Sequence, residues 1–201
     1  MATFERGFKT WCERTAAGIR RSLNLAPFDP LDPRALAAHL EVTLLTPQQI
    51  PDLPSDVCRQ LLETDPWGWS AVTLETDEGA TIIYNPRKSE GRQASDLMHE
   101  LAHLLLGHQP ATLILSHEHG FGMRSFDPRQ EDEANWLAWA LLLPREALLR
   151  AKRQKLTNEE VANRFGVTER LVRFRSSVTG VDVQVTRRLR GPSRRASSRP
   201  G

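Results

Sequence analysis

The chain has 201 residues, of which 39% are hydrophobic, and it carries 27 Lys and Arg against 25 Asp and Glu. This composition is typical of a globular protein with enough apolar side chains to build a core, which excludes a chain that is disordered throughout. The longest uninterrupted apolar run has eight residues, 136–143. A membrane helix needs roughly 20, so the sequence predicts no membrane span.

The two signs of charge are unevenly distributed. Residues 1–144 hold 12 basic and 20 acidic side chains, a net charge of −8, whereas residues 145–201 hold 15 basic and 5 acidic ones, a net charge of +10. Charged residues interrupt the N-terminal segment, so we expect no secretory signal and a cytoplasmic protein. Cys12 and Cys58 lack metal-ligand spacing and are expected to be inert thiols.

The first half of the chain alternates helical and strand-like patterns. Helical periodicity predicts an amphipathic helix over about the first 20 residues. The pair Asp32-Pro33 is typical of a helix start, and a strand is expected at 42–45. Ser55 is placed to cap another short helix. Two β-rich runs, 70–75 and 80–84, flank a turn cluster and predict a hairpin.

Two longer helices are predicted next. Apolar residues cover most of the circumference over 90–105, which indicates a buried helix rather than a surface one. A second Asp-Pro pair, Asp127-Pro128, opens a helix that must end or kink at Pro144. Pro144 can in turn begin a further helix.

The buried helix carries an H-E-x-x-H sequence, residues 99–103. Residues four apart on a helix face the same way, so His99 and His103 can bind one Zn²⁺ while Glu100 reaches a metal-bound water. Left unpaired on an apolar helix, these side chains would cost several kcal/mol, and a metal removes most of that cost. The alternative is a pair of core histidines satisfied by hydrogen bonds.

A catalytic zinc site has three protein ligands and one open position. We choose Glu131 as the third ligand because it shares a helix face with Ala134 and Ala138, whose small side chains permit close approach to the first helix. Glu133 is the alternative, although acidic residues in a first helical turn also complement the helix dipole. Asn135, one turn beyond Glu131, is expected to hydrogen-bond a ligand.

These residues, together with Leu142-Leu143-Pro144, resemble the ImmA/IrrE family of zinc metallopeptidases. The resemblance covers about residues 1–180 and is most specific over 80–144. It implies an α+β fold, in which residues 1–153 form a minimal zincin-like domain. That domain would combine a small antiparallel sheet with the H-E-x-x-H helix and a glutamate helix.

The resemblance also implies an activity and its residues. One Zn²⁺ per chain would be held by His99, His103 and Glu131, with Glu100 as general base. The reaction would be hydrolysis of a peptide bond in a protein, and the implied substrate is a helix-turn-helix transcriptional repressor.

The residue that stabilises the oxyanion is not evident from the sequence. The candidates are Tyr84, His108, His117 and His119. If residues 81–84 form the sheet edge above the metal, they could bind the substrate as an added strand, and Tyr84 would contact it.

Residues 154–180 have the pattern of a helix-turn-helix unit, with helix caps, a small contact residue, a turn glycine and a core residue. The residues that carry this pattern are Thr157, Ala162, Gly166, Thr168 and Val172. Residues 181–201 are predicted to form a basic, disordered tail.

Three roles are open for this segment. If it binds DNA, Thr168, Glu169, Arg170 and Arg173 would face the major groove, and the arginines of 187–199 would contact phosphates. Alternatively, Arg173 and Arg175 belong to a solvated face. The third role is recognition of the repressor substrate. The competing function for the whole chain is a DNA-binding or antitoxin-like interaction protein with a structural or idle metal site.

Overall fold

The computed structural model describes residues 4–76, 79–108, 113–115, 122–124 and 127–189. There the chain is a mixed α+β structure, rich in helix, with one three-stranded sheet and one two-stranded sheet. The helices are α1 (Phe8–Ser22), α2 (Pro33–His39), α3 (Ser55–Arg59), α4 (Glu90–Leu106), α5 (Pro128–Leu142), α6 (Arg145–Arg153), α7 (Asn158–Phe165), α8 (Glu169–Thr179) and α9 (Val181–Leu189). The strands are β1 (Thr43–Leu45), β2 (Ala71–Thr76), β3 (Gly79–Tyr84), β4 (Leu113–Leu115) and β5 (Gly122–Arg124). Within the described ranges, none of the helices is long and apolar enough to cross a bilayer.

Both predicted Asp-Pro helix starts are confirmed. The Asp32 and Asp127 carboxylates each accept a hydrogen bond, at 2.9 Å, from the backbone N–H two residues further on. Pro33 and Pro128 follow at the start of the helix, where a missing N–H costs nothing and the fixed φ suits a helix. The start predicted from Ser55 is wrong by one position. Pro54 is the cap residue there, and no side chain makes a capping hydrogen bond.

The three-stranded sheet is mixed, which corrects the predicted antiparallel sheet. β2 and β3 form the expected antiparallel hairpin, whereas β1 runs parallel to β3 with Thr43 opposite Thr81. Parallel neighbours need a long crossover, and here the crossover includes α3. β3 is therefore the central strand and β2 an outer one, so the prediction that residues 81–84 form a sheet edge is wrong.

The core is built around α4 and α5. Large apolar side chains of both helices, Leu97, Leu101 and Leu137 among them, are fully buried. Each contributes about 1.5–3 kcal/mol by its removal from water. Small residues are buried as well, Ala102 on α4 and Ala134 on α5. Interaxial distance depends on the side chains at the contact, and small buried residues of this kind permit two helices to approach closely.

Helices α6 to α9 share a second apolar cluster. The predicted features of α7 and α8 are present. The Thr157 and Thr168 hydroxyls accept hydrogen bonds from backbone N–H groups at 3.1 and 3.2 Å, Gly166 has a φ of 61°, and Val172 is buried. Phe174 of α8 packs edge-on against Trp139 of α5, with ring centroids 4.9 Å apart.

Two predictions for the C-terminal part are wrong. Residues 181–189 form α9, whose first residue Val181 is buried, so a disordered tail does not begin at residue 181. Residues 190–201 lie outside the described residues. Arg175 does not share a solvated face with Arg173. It is fully buried, and its guanidinium donates to the Leu143 carbonyl at 3.1 Å and to the Glu13 carboxylate.

A second buried arginine, Arg20, joins α1 to α5. Its guanidinium donates to the carbonyls of Asp29 at 2.8 Å, Leu141 at 2.7 Å and Ala16 at 3.2 Å. Leu141 lies in the last turn of α5, where carbonyls have no partner within the helix. Burial lowers the pKa of Arg20 to about 10, which leaves the side chain protonated at neutral pH.

We expect Arg20→Met to lower the free energy of unfolding by about 2–4 kcal/mol, because the Asp29 and Leu141 carbonyls lose their partners in a buried place. Urea unfolding followed by circular dichroism measures this. The control is Arg21→Met on the exposed side of the same helix, expected to change stability by less than about 0.5 kcal/mol. Equal losses in the two variants would contradict the role of Arg20.

Candidate metal centre

Three side chains from two helices converge where α4 faces the first turn of α5. The Nε2 atoms of His99 and His103 are 3.1 Å apart. Glu131 places Oε2 at 3.2 Å from the His99 Nε2 and Oε1 at 3.6 Å from the His103 Nε2. The possible ligand atoms of the three residues all lie within 4.8 Å of one another. The predicted donor set is thus brought together, and each member is partly exposed.

The spacing of these atoms fits a metal ion. Nitrogen and oxygen ligands lie about 2.0–2.2 Å from zinc, so two of them on one tetrahedral ion are about 3.3–3.6 Å apart. The three observed separations run from 3.1 to 3.6 Å. The alternative of two satisfied core histidines fits less well, since the buried His99 Nδ1 has no hydrogen-bond partner in the part of the chain that is described.

Glu100 is more deeply buried than the two histidines of the H-E-x-x-H sequence, with 4% of its surface exposed. Its Oε2 accepts a hydrogen bond from the Thr73 hydroxyl at 2.6 Å. Thr73 belongs to β2, so the outer strand of the sheet fixes the orientation of this carboxylate. Sequence reasoning missed Thr73, because the β-rich pattern of the strand does not show which residue meets α4.

A cavity of about 1040 Å³ opens beside the donor set, at the upper end of ligand-sized pockets. Residues of β2, α4 and α5 form its walls, and His99, Glu100 and Glu131 all line it. Its apolar part includes three tryptophans, Trp67, Trp69 and Trp139. The cavity has room for an extended ligand beside the donor atoms.

The other residues predicted near the metal lie in different places. Glu133, the alternative ligand, is outside the donor set and contacts His108 at 3.4 Å and Arg129 at 3.0 Å. Asn135 lines the cavity, and among the described residues its amide makes no hydrogen bond to a donor side chain. Ile83 is the β3 residue in the cavity wall, whereas Tyr84 lies under the Arg34 guanidinium. The prediction of a Tyr84 contact with substrate depended on an edge position that β3 does not have.

The remaining candidate residues are three histidines and two arginines. His108 lies behind His103 and is absent from the cavity lining as described. His117 and His119 lie outside the described residues. Arg170 and Arg173 are exposed on α8, and Arg173 forms an ion pair with Glu169 at 2.8 Å. DNA contact by these arginines stays a prediction.

Comparison with known proteins gives a family match. Residues 65–177 match Peptidase M78, described as the IrrE N-terminal-like domain. The solved structure of a Mycobacterium tuberculosis transcriptional regulator is similar, with 16% sequence identity and a TM-score of 0.49 over 87% of this chain and 48% of that one. The chain therefore spans about half the length of that regulator. No curated protein gives a significant match.

We expect Glu131→Gln to weaken metal binding by more than about 100-fold, because groups that only support a ligand are already worth about 10–100-fold. Glu133→Gln keeps all three donors and should still bind one ion per chain. Metal content after dialysis, with a competing chelator, measures both. Loss of the ion in Glu133→Gln with retention in Glu131→Gln would sink the assignment of Glu131.

Proposed function

Because the chain belongs to the Peptidase M78 family of IrrE N-terminal-like domains, we propose that it is a zinc-dependent endopeptidase. The observation that carries this proposal is the convergence of His99, His103 and Glu131 next to a cavity that His99 and Glu131 line together with Glu100. Neither the donor set nor the base alone would suffice, since hydrolysis by a metal-assisted mechanism uses both a metal position and a proton acceptor.

The donor set would hold Zn²⁺ through the Nε2 atoms of the two histidines and the Glu131 carboxylate. When bound, zinc supplies a Lewis acid that makes water more acidic and polarises a carbonyl group. The three donors found among the described residues would leave a fourth position for reactants, and two of them, His99 and Glu131, line the cavity.

Glu100 has the position of a general base. Its carboxylate would take the proton from the attacking water and return it to the leaving amine. The Thr73 hydroxyl donates to Oε2 of Glu100 and so orients the carboxylate for both proton transfers. The carboxylate is 4% exposed and lines the cavity, so it can exchange protons with reactants there.

The same features argue against a structural or idle metal site. Structural zinc sites are closed by four protein ligands and have no use for a base. Among the described residues, three donors occur together with the Glu100 carboxylate and a large cavity. An interaction protein with an idle site would not need this combination.

We propose that the substrate is a helix-turn-helix repressor, as the resemblance to ImmA/IrrE peptidases implies. The cavity suits an extended polypeptide, because Ala71, Val72 and Thr73 of the outer strand β2 line it and can pair with a substrate backbone. This replaces the central strand β3 as the surface for an added strand.

The segment after α6 is proposed to border the substrate path instead of reading DNA. A smaller cavity of about 460 Å³ shares Arg92 and Trp139 with the larger one and extends to Thr168 and Leu171 at the start of α8. Phe174 packs against Trp139 of α5, and Arg175 donates to the Glu13 carboxylate of α1, so both side chains contact the rest of the chain. These contacts favour the third of the roles considered for this segment, recognition of substrate.

We expect Glu100→Gln to bind zinc like the unaltered chain and to lose about 10²–10⁴-fold in cleavage rate, the usual contribution of a general base. The assay offers the zinc-loaded protein a helix-turn-helix regulator encoded beside its own gene and follows fragments by mass spectrometry. Glu90→Gln, an exposed glutamate at the start of the same helix, is the matched control and should cleave normally.

Two outcomes would contradict the proposal. One is a zinc-loaded protein, at one ion per chain, that cleaves no neighbouring regulator. The other is undiminished cleavage by Glu100→Gln.

A further inference from the structure

A second imidazole lies behind the candidate ligand His103. The Nδ1 atoms of His103 and His108 are 3.0 Å apart, and the two rings meet edge to face with centroids separated by 5.0 Å. The His108 side chain is only 7% exposed. Its other nitrogen, Nε2, lies 3.4 Å from Oε2 of Glu133. His108 thus lies between a candidate metal ligand and a carboxylate of α5.

The end of α4 explains how His108 reaches this place. Gly107 ends the helix with a φ of 63°, a left-handed conformation that glycine adopts without steric cost. The chain turns back there, and the His108 N–H donates to the His103 carbonyl at 3.1 Å. Backbone and side chain of His108 therefore both contact His103.

The contacts fix where the protons must be. If the His103 Nε2 gives its lone pair to a metal, the proton of that ring is on Nδ1, which can then only donate. The facing Nδ1 of His108 must accept, so the His108 proton is on Nε2, the atom directed at Glu133. Each of the two protons then has an acceptor. His103 donates to His108, and His108 donates to the Glu133 carboxylate.

We infer that His108 and Glu133 are positioning residues for the metal ligand His103. His108 accepts the His103 Nδ1 proton and so sets the ring orientation and the tautomer that leaves Nε2 for the metal. Glu133, which is not itself a member of the donor set, fixes the tautomer of His108. The inference rests on the proposed function, because it requires that the donor set binds a metal.

The position of Glu133 supports this role. Its carboxylate is 15% exposed, and Oε1 accepts a hydrogen bond from the Arg129 guanidinium at 3.0 Å while Oε2 faces His108. Arg129 also donates to the Glu5 carboxylate at 2.7 Å. The carboxylate is therefore held from its far side, and its free rotation away from His108 is restricted.

The test compares two substitutions of His108 by zinc affinity, measured in competition with a chelator. His108→Phe keeps a ring of similar size and removes the acceptor, and we expect about 10–100-fold weaker binding. His108→Asn offers a carbonyl oxygen to His103 and an amide donor to Glu133, so it should recover most of the affinity. Equal affinities for the unaltered chain and His108→Phe would overturn the inference.

Glu133 is tested against its exposed neighbour on α5. Glu133→Gln should weaken zinc binding by several-fold but less than about tenfold, since an amide oxygen still accepts from His108. Asp132→Asn removes the same charge without the contact, and its affinity should stay within about twofold of the unaltered chain. Equal losses of zinc affinity in the two variants would mean that Glu133 acts through its charge alone, which contradicts a positioning role.

A spectroscopic signature tests the same inference in the unaltered, zinc-loaded protein. Long-range ¹H–¹⁵N spectra of the histidine rings should show His103 protonated at Nδ1 and His108 protonated at Nε2 and not at Nδ1. A proton on the His108 Nδ1 would overturn the inference. If the unaltered chain takes up no zinc, the proposed function itself fails. Zinc uptake together with any of the three contrary results above removes the positioning role alone.

Discussion

Glu131 meets the two histidines only because α4 and α5 pack closely. His99 and His103 are one turn apart on a single helix, so their spacing follows from helix geometry. Glu131 comes from the other helix, so its position relative to the imidazoles depends on the distance between α4 and α5 and on their register. Ala102 of α4 and Ala134 of α5 are buried in one apolar cluster, and small side chains at a helix contact permit a short interaxial distance. A larger side chain at either position would separate the helices and move the carboxylate away from the imidazoles, without any change in the donor residues themselves.

Two buried guanidinium groups hold the far end of α5. Arg20 of α1 donates to the carbonyl of Leu141, and Arg175 of α8 donates to the carbonyl of Leu143. Carbonyls at a helix C-terminus need such outside partners. Arg175 also pairs with Glu13, which joins the basic C-terminal part of the chain to its acidic N-terminal part. The Arg175–Glu13 ion pair thus joins the basic and the acidic part of the chain at the C-terminal end of α5, the helix that carries Glu131.

The features that could be predicted from the sequence depend on residues a few positions apart. They include both Asp-Pro helix starts, the caps of α7 and α8, and the choice of Glu131 from its helix face. Two of the errors, by contrast, depend on distant partners. The place of β3 in the sheet follows from its pairing with β1, and burial of Arg175 follows from contact with Glu13, 162 residues away. No local pattern reports such contacts, and the Thr73 bond to Glu100 escaped notice for the same reason.

Zinc K-edge X-ray absorption of the zinc-loaded protein would examine the convergent donor set most directly. It reports the elements bound to the ion and their distances without reference to any substrate. The expected spectrum shows two imidazole nitrogens and oxygen donors at about 2.0–2.2 Å, and no sulfur. Sulfur scattering at about 2.3 Å, which would place the ion on a cysteine, or a spectrum with fewer than two imidazoles, would contradict the site formed by α4 and α5.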